Sequence, residues 1–324
     1  MKIFRNLPPA SERGPCVLTI GNFDGVHRGH QAVLANLKRV AGICRLPMKV
    51  LTFEPQPREF FAHSGRGVAP ARIQSLRDKA CALKNHGISQ LGVIDFGLRW
   101  AQMPAEEFIT DYLVRDLQIK HLFIGDDFQF GAHRRGNFEM LSEHGNRLGF
   151  GVERMPTLED NGERISSSAV RSALTTGNFA RAEQLLGRPY LISGRVIHGR
   201  KLGRTLGFPT LNMRVPGASE QSSSLPLLSG VFAVRVHGLN EAVLGGVASL
   251  GTRPAVEQNG HYLLETHVFD YSGNAYGKAL SIEFVEKLRN EANYPSLEAL
   301  TAQILLDAKN ARQILLKVPT RAAA

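Results

Sequence analysis

Gly21-Asn22-Phe23-Asp24-Gly25-Val26-His27-Arg28-Gly29-His30 is the stretch that decides how the first half of this 324-residue chain folds. It follows an apolar, β-rich run, Cys16-Val17-Leu18-Thr19-Ile20, and leads into a run at helical spacing over residues 31–40. Gly21 and Gly25 permit the tight turn that hands a strand over to a helix. His27 and His30 lie three apart, so within a first helical turn both imidazoles point the same way. Gly29 between them leaves the backbone open to a ligand, and the free N–H groups of a helix start suit a phosphate. A metal site is the competing reading, yet no third ligand stands near and no H-E-x-x-H occurs. The strand, glycine turn, H-x-G-H and helix together point to chemistry at a nucleotide α-phosphate.

Outward from this segment, strand-like and helix-like runs alternate. Strands are expected at residues 16–20, 48–53, 91–96, 121–125 and 150–155, with helices at 31–40, 73–85, 105–116 and 138–148. That order implies βαβ units and a doubly wound parallel sheet, in which ligands bind beyond the carboxyl ends of the strands. The segments 21–30, 54–61, 97–103 and 125–135 all follow strands and are expected to line one crevice. In this context the H-x-G-H segment resembles that of the HxGH superfamily of nucleotidyltransferases. Past Gly187 the texture changes to short β-rich runs at 190–198, 230–236, 242–249, 262–269 and 279–285, as in a small barrel or sandwich. Residues 217–224 are polar and small and read as a loop, and a helix is expected over 296–316 behind Pro295 and Ser296. Two domains follow, 1–187 and 188–324, with no internal repeat.

The bulk composition is that of an ordinary globular protein, 43% apolar and 21% charged. A net charge of +10 favours anionic partners, nucleotide or nucleic acid, without choosing between them. No run of 18 apolar residues occurs and the first residues lack a signal segment, so the expected place is the cytoplasm, away from membranes. Cys16, Cys44 and Cys81 are odd in number and widely spaced, and read as buried thiols.

Three further clusters occupy the first half. In Phe53-Glu54-Pro55-Gln56-Pro57-Arg58-Glu59-Phe60-Phe61 prolines stiffen a loop whose aromatics either stack on a flat ring or simply pack in the core. Gly125-Asp126-Asp127 sets two acids after the fourth strand, suited to a ribose hydroxyl or a Mg²⁺-bound phosphate. Ser166-Ser167-Ser168 precede a helical run at 169–174; they either cap it or bind phosphate together with Arg171. Adenylyl transfer to a phosphate acceptor needs alignment and charge neutralisation, not a protein nucleophile.

In the second half, the run from His198 to Asn212, H-G-R-K-L-G-R-T-L-G-F-P-T-L-N, alternates glycine with basic residues. Such a loop closes over a polyphosphate, binds RNA or is merely solvated, and it is not a Walker loop. Thr210 and Asn212 share one face of a strand. Glu265 sits in an otherwise β-like run, where an acid is costly without a partner or a task.

Taken in order, G-x-F-D-G-V-H-x-G-H, F-E-P-x-P-x-x-F-F, G-x-D-F-x-F-G, I-S-S-x-x-V-R, G-x-x-L-G-R-x-x-G-F-P-T-x-N and the Glu265 strand make the chain, over nearly its whole length, resemble the bifunctional prokaryotic riboflavin kinase/FAD synthetase family. The resemblance implies an N-terminal FMN adenylyltransferase and a C-terminal riboflavin kinase β-barrel. It implies that His27 and His30 contact ATP phosphates, that Asn22, Asp126, Ser166, Ser167 and Arg171 complete that nucleotide site, and that Phe60 and Phe61 house the isoalloxazine. In the kinase it implies Gly199 and Gly203 in the phosphate loop, Thr210 and Asn212 holding Mg²⁺ and phosphate, Glu265 as base and Arg289 on the flavin side. The substrates implied are riboflavin, FMN and ATP, the products FMN and FAD, with no obligatory nucleic acid and an oligomeric state that cannot be read.

Gln56 stands where the family commonly has histidine, Ser168 and Ala255 where it has threonine, and Arg200 where aspartate is frequent. These leave flavin affinity and the relative rates of the modules open. Two other readings compete: an enzyme with one vestigial module, and a flavin- or RNA-binding regulator without catalysis.

Overall fold

The computed structural model describes residues 1–199, 203, 207–219, 226–251 and 261–319. The chain divides into two compact units, Met1–Pro70 with Lys79–Ser166, and Ala71–Asp78 with Ser167–Ala324.

The first unit is built on a six-stranded parallel sheet with the order β1-β4-β3-β2-β5-β6. Its strands are β1 (Lys2–Arg5), β2 (Cys16–Ile20), β3 (Met48–Phe53), β4 (Gln90–Ile94), β5 (Ile119–Gly125) and β6 (Gly151–Met155). All five residues of β2 are buried, which explains a continuous apolar run where a half-exposed strand would alternate. The strand order reverses beside β2, so the crevice expected of an open α/β sheet lies between the ends of β2 and β5.

Helices cover this sheet: α1 (Arg28–Cys44), α2 (Pro57–His63), α3 (Leu76–Asn85), α4 (Leu98–Gln102), α5 (Ala105–Glu107) and α6 (Phe138–Leu148). Here α5 runs straight into a π-helical stretch, Phe108–Asp116, whose Ile109 and Leu113 join the same buried core cluster as Leu18, Ile20 and Leu122. Asn137 caps α6 by accepting from the Met140 N–H, and Gly149 ends it in the left-handed region.

Three expectations change. The proline-rich segment after β3 is a helix, because Pro57 occupies its first turn and Gln56 with Glu59 forms a capping box. Cys44 and Cys81 are exposed, the first as the last residue of α1 and the second on the outer face of α3; Cys16 alone of the three is buried. Gly217–Ser219 of the expected loop extend a strand, and residues 220–224 lie outside the described ones.

In the second unit α7 (Ser167–Thr175) and α8 (Phe179–Leu186) precede six antiparallel strands. These are β9 (Leu191–Arg195), β10 (Thr210–Ser219), β11 (Gly230–His237), β12 (Leu244–Leu250), β13 (His261–Val268) and β14 (Ala279–Arg289). Late in the first unit, β7 (Glu159–Asp160) and β8 (Glu163–Arg164) pair as a short antiparallel hairpin. The order β10-β13-β12-β11-β14-β9 curls toward closure, since an isolated bridge pairs Ile197, just past β9, with Asn212 of β10. Phe232 and Phe284 pack edge-on at 5.2 Å, with Phe179 of α8 against both.

The closing helix α9 (Leu297–Lys317) begins at Ser296, whose hydroxyl accepts from the Ala299 N–H. Two ionic anchors hold it. Arg289 donates to both oxygens of the buried Asp307 at 2.7–3.1 Å. On the neighbouring strand Arg235 donates to Glu283 at 2.9 Å and to the Val318 carbonyl just past α9, while His237 donates to the other Glu283 oxygen at 2.8 Å.

Burial alone would raise the Glu283 carboxyl, but the hydrogen bonds from His237 and Arg235 outweigh it and hold it below the ordinary carboxylate value. A carboxyl depressed on folding adds stability that is present above its unfolded pKa and is lost as pH falls through the folded value. Glu283→Gln is therefore expected to lower unfolding stability by about 2 to 3 kcal/mol at neutral pH, because Arg235 loses a buried partner. In denaturant titrations the difference from wild type shrinks on acidification; a difference independent of pH would contradict the assignment.

Candidate active sites

In the first unit the turn after β2 is buried, although it carries polar groups. Phe23, Asp24 and Val26 are at most 2% exposed and His27 is 6% exposed. Phe23 at φ 48° and Val26 at φ 43° adopt left-handed backbone, costly for an aromatic and above all for a β-branched residue. The Val26 N–H donates to the Phe23 carbonyl at 3.3 Å, and Gln31 Nε2 donates to the Val26 carbonyl at 2.9 Å.

His27 is the N-cap of α1 rather than a helical residue: its Nδ1 accepts from the His30 N–H at 3.4 Å. The two rings stack at 3.7 Å with 22° between their planes, and Phe23 leans on His30 at 4.9 Å. Burial, then His27, then Lys79 push the His30 pKa well below its ordinary value, so this imidazole is neutral at physiological pH. The Nδ1 of His30 and the Oδ1 of Asn22 are both buried and meet no hydrogen-bonding partner among the described residues. Orphaned polar atoms of this kind suit a site that completes its hydrogen bonds with a ligand.

Three other segments follow parallel strands at this edge. Phe60 and Phe61 lie on α2, and both rings meet Phe96, just past β4, edge-on at 5.6 and 6.0 Å. Phe53 joins them at 5.7 Å from Phe96, which makes a half-buried patch of four phenylalanines. After β5, Asp126 accepts from the Thr157 hydroxyl at 2.6 Å, and Arg164 bridges Asp126 and Asp127 at 3.4 and 3.3 Å. The Thr157 hydrogen bond, ahead of Arg164, keeps Asp126 below the usual carboxylate range. Beside these acids opens a cleft of about 430 Å³, also lined by Arg134, Asn137 and Arg154. Among the described residues no three His, Cys, Asp or Glu side chains converge as a metal site.

Ser166 closes the first unit, whereas Ser167 and Arg171 ride on α7 in the second. There Arg171 Nε donates to the Ala71 carbonyl at 2.7 Å. Gln56 is buried at the start of α2, and Ser168 is exposed on α7.

In the second unit the strand register brings together the residues expected to form the kinase site. Asn212 of β10 pairs with Glu265 of β13, and Thr210 pairs with His267, so all four side chains project from one face. His267 Nδ1 donates to the Pro209 carbonyl at 3.0 Å. Asn212 is 5% exposed, and its Oδ1 is buried with no partner among the described residues. A Cβ on Gly199 would lie 2.4 Å from Asn212 Nδ2, and one on Gly203 would lie 2.3 Å from the Phe208 carbonyl oxygen. Gly199 thus lies close against Asn212 of β10, and Gly203 against the Phe208 carbonyl just before that strand; Arg200 and Ala255 lie outside the described residues. Arg289 ends β14, three places along the sheet from β13, with its guanidinium committed to Asp307.

Phe96, Thr52, Lys79 and Asp307 escaped the sequence reading. Phe96 carried a usable signal, an aromatic at a strand's carboxyl end. Lys79 carried another, a lysine on the inward register of α3 beside Ala80 and Leu83.

A parallel sheet with an H-x-G-H turn at its switch point, followed by an antiparallel near-barrel with a T-x-N strand, defines a nucleotidyltransferase joined to a kinase. The comparisons agree. Residues 10–169 match the FAD synthetase family and residues 186–315 the riboflavin kinase family. The bifunctional riboflavin kinase/FMN adenylyltransferase of Escherichia coli K12 is 46% identical over 316 residues, 97% of each chain. That of Haemophilus influenzae is 46% identical over 92% of this chain and 93% of its own. That of Pseudomonas fluorescens is 44% identical over 95% of each. A crystal structure named as a macrolide-efflux protein from Streptococcus pneumoniae superposes with a TM-score of 0.76 at 27% identity, covering 96% of this chain and 99% of its own. The chain belongs to the bifunctional riboflavin kinase/FMN adenylyltransferase family. It phosphorylates riboflavin to FMN and adenylylates FMN to FAD, with ATP as the donor for both.

Gly29 tests how tightly the histidines are held. A Cβ there would lie 3.1 Å from the His27 ring and 3.2 Å from the Ile165 carbonyl oxygen. Gly29→Ala is expected to cut FAD formation from FMN at least ~10-fold by displacing the His27 ring, with FMN formation from riboflavin unchanged. Wild-type FAD formation in steady-state assays would show that the ring stack tolerates the methyl group.

Proposed function

We propose that the two reactions are carried by the two buried clusters just described, adenylyl transfer within residues 1–187 and phosphorylation within 188–324. The observation that supports the first is the His27–His30 stack beside two orphaned buried polar atoms. A phosphate oxygen of FMN attacks the α-phosphorus of ATP, the bond to the bridging oxygen breaks, and pyrophosphate leaves. Neutral His30 and its neighbour His27 donate hydrogen bonds to the phosphate oxygens as charge shifts toward the leaving group. Asn22 adds its side-chain amide, and Asp126 takes a ribose hydroxyl. Ser166, Ser167 and Arg171 bind phosphate, a role supported by hydroxyls at the start of α7 and by the I-S-S-x-x-V-R motif. The aromatic patch of Phe60, Phe61 and Phe96 presents ring edges and faces for the isoalloxazine.

In the kinase, Glu265 accepts the proton of the ribityl 5′-hydroxyl as its oxygen attacks the γ-phosphorus and ADP departs. Gly199 and Gly203 let backbone N–H groups approach the phosphates. Thr210 and Asn212 would hold Mg²⁺, since hard oxygen donors, one of them the orphaned Asn212 Oδ1, fit that ion beside phosphate. When bound, Mg²⁺ neutralises charge on the transferring phosphoryl group. Arg289 is assigned to the flavin side on its place in the family's motif order. We further place the enzyme in the cytoplasm, acting on small molecules without nucleic acid or membrane. The three unpaired cysteines support that compartment, and among the described residues no helix is long and apolar enough to cross a membrane.

The two sites are tested separately. Glu265→Ala is expected to abolish FMN formation while leaving FAD formation from supplied FMN, and His30→Ala to do the reverse, so that FMN accumulates from riboflavin. Chromatography of the flavins reads both; loss of both activities in either variant would overturn the two-site assignment.

A further inference from the structure

We propose that Lys79 is a positioning residue for adenylyl transfer, holding the Asn22–His30 loop in place through Thr52. Lys79 is 2% exposed and Thr52 fully buried. A lysine buried to that degree is costly unless its charge is used, and α3 has ample outward positions for a solvated one. Its Nζ donates to Thr52 Oγ1 at 3.2 Å, and that hydroxyl donates in turn to the Asn22 carbonyl at 3.1 Å. Both bonds run in one direction, so each polarises the next. The chain ends on the residue that opens the histidine turn, one position past Gly21, whose N–H is fixed by the Leu51 carbonyl of β3 at 3.1 Å.

The same β-strand thus grips the turn twice, at Gly21 through backbone and at Asn22 through Thr52. A turn with two non-glycine residues in left-handed conformation needs such over-determination to keep its shape. The Lys79 charge also reaches His30, where it adds to burial in favouring the neutral ring. Lys79 touches neither orphaned atom of the site, Asn22 Oδ1 nor His30 Nδ1, so its action is indirect.

The inference rests on the reading of His27 and His30 as the adenylyl-transfer site. In the full-length enzyme, Lys79→Met and Thr52→Val are each expected to lower kcat for FAD formation about 10- to 100-fold with little change in KM for FMN. FMN formation from riboflavin stays at wild-type rate, and Thr52→Ser, which restores the hydroxyl, recovers most of the kcat. The Lys79→Met/Thr52→Val double variant is no worse than the more damaging of the two single variants, because both break one chain. Thr52→Val exchanges only the hydroxyl for a methyl group of similar size and decides the matter if Lys79→Met does not fold. Wild-type kcat in Thr52→Val, or losses that add in the double variant, would overturn the proposal. If His30→Ala keeps adenylyl transfer, the histidine reading itself fails; if His30→Ala loses it while Thr52→Val does not, only the role of Lys79 fails.

Discussion

Burial of a polar turn at the end of a fully buried strand is the constraint on which the adenylyl-transfer half depends. The five residues of β2 leave no freedom in where the chain emerges, and the turn that follows is forced down among apolar neighbours. Its backbone accepts left-handed conformations at Phe23 and Val26, and its two imidazoles stack instead of seeking water. Desolvation then keeps His30 uncharged, a hydrogen-bonding ring whose Nδ1 has no partner among the described residues, which is what the proposed role in phosphate chemistry requires. A solvated His-x-x-His pair would titrate freely and gain little from hydrogen bonds screened by water.

The kinase half reaches a comparable end by strand register. Pairing Asn212 with Glu265 puts an oxygen donor and a carboxylate on one face, and a slip of one residue between the strands would send them to opposite faces. What secures that register is spread across the sheet. The closing helix is tied by Arg289 to the buried Asp307, and Arg235 with Glu283 links β11 to β14 directly opposite one another. Glycine at 199 is needed for a different reason, since any side chain there would collide with Asn212.

Much of this was legible in the sequence because it depends on local rules. The parallel sheet followed from apolar runs alternating with helical spacing, and β2, β3 and α6 coincide with the expected bounds. The facing of Thr210 and Asn212 followed from the twofold period of a strand. Helix α2 was hidden because prolines suggest a loop, although Pro57 in a first turn starts a helix as readily. Cys44 and Cys81 misled because their neighbours are apolar while the cysteines themselves point outward. Thr52 and Asp307 were invisible for a deeper reason: their partners lie at least 18 positions away, and no spacing rule reports such contacts; Lys79 showed its inward register but not the partner it meets.

The most direct measurement is the titration of the His30 imidazole by NMR in the full-length enzyme, with the signal assigned through His30→Ala. A ring held out of water beside His27 and Lys79 stays neutral to a pH well below 6.5, its ordinary value. A His30 that protonates with a midpoint near 6.5 would contradict the account, for the turn would then be open to water.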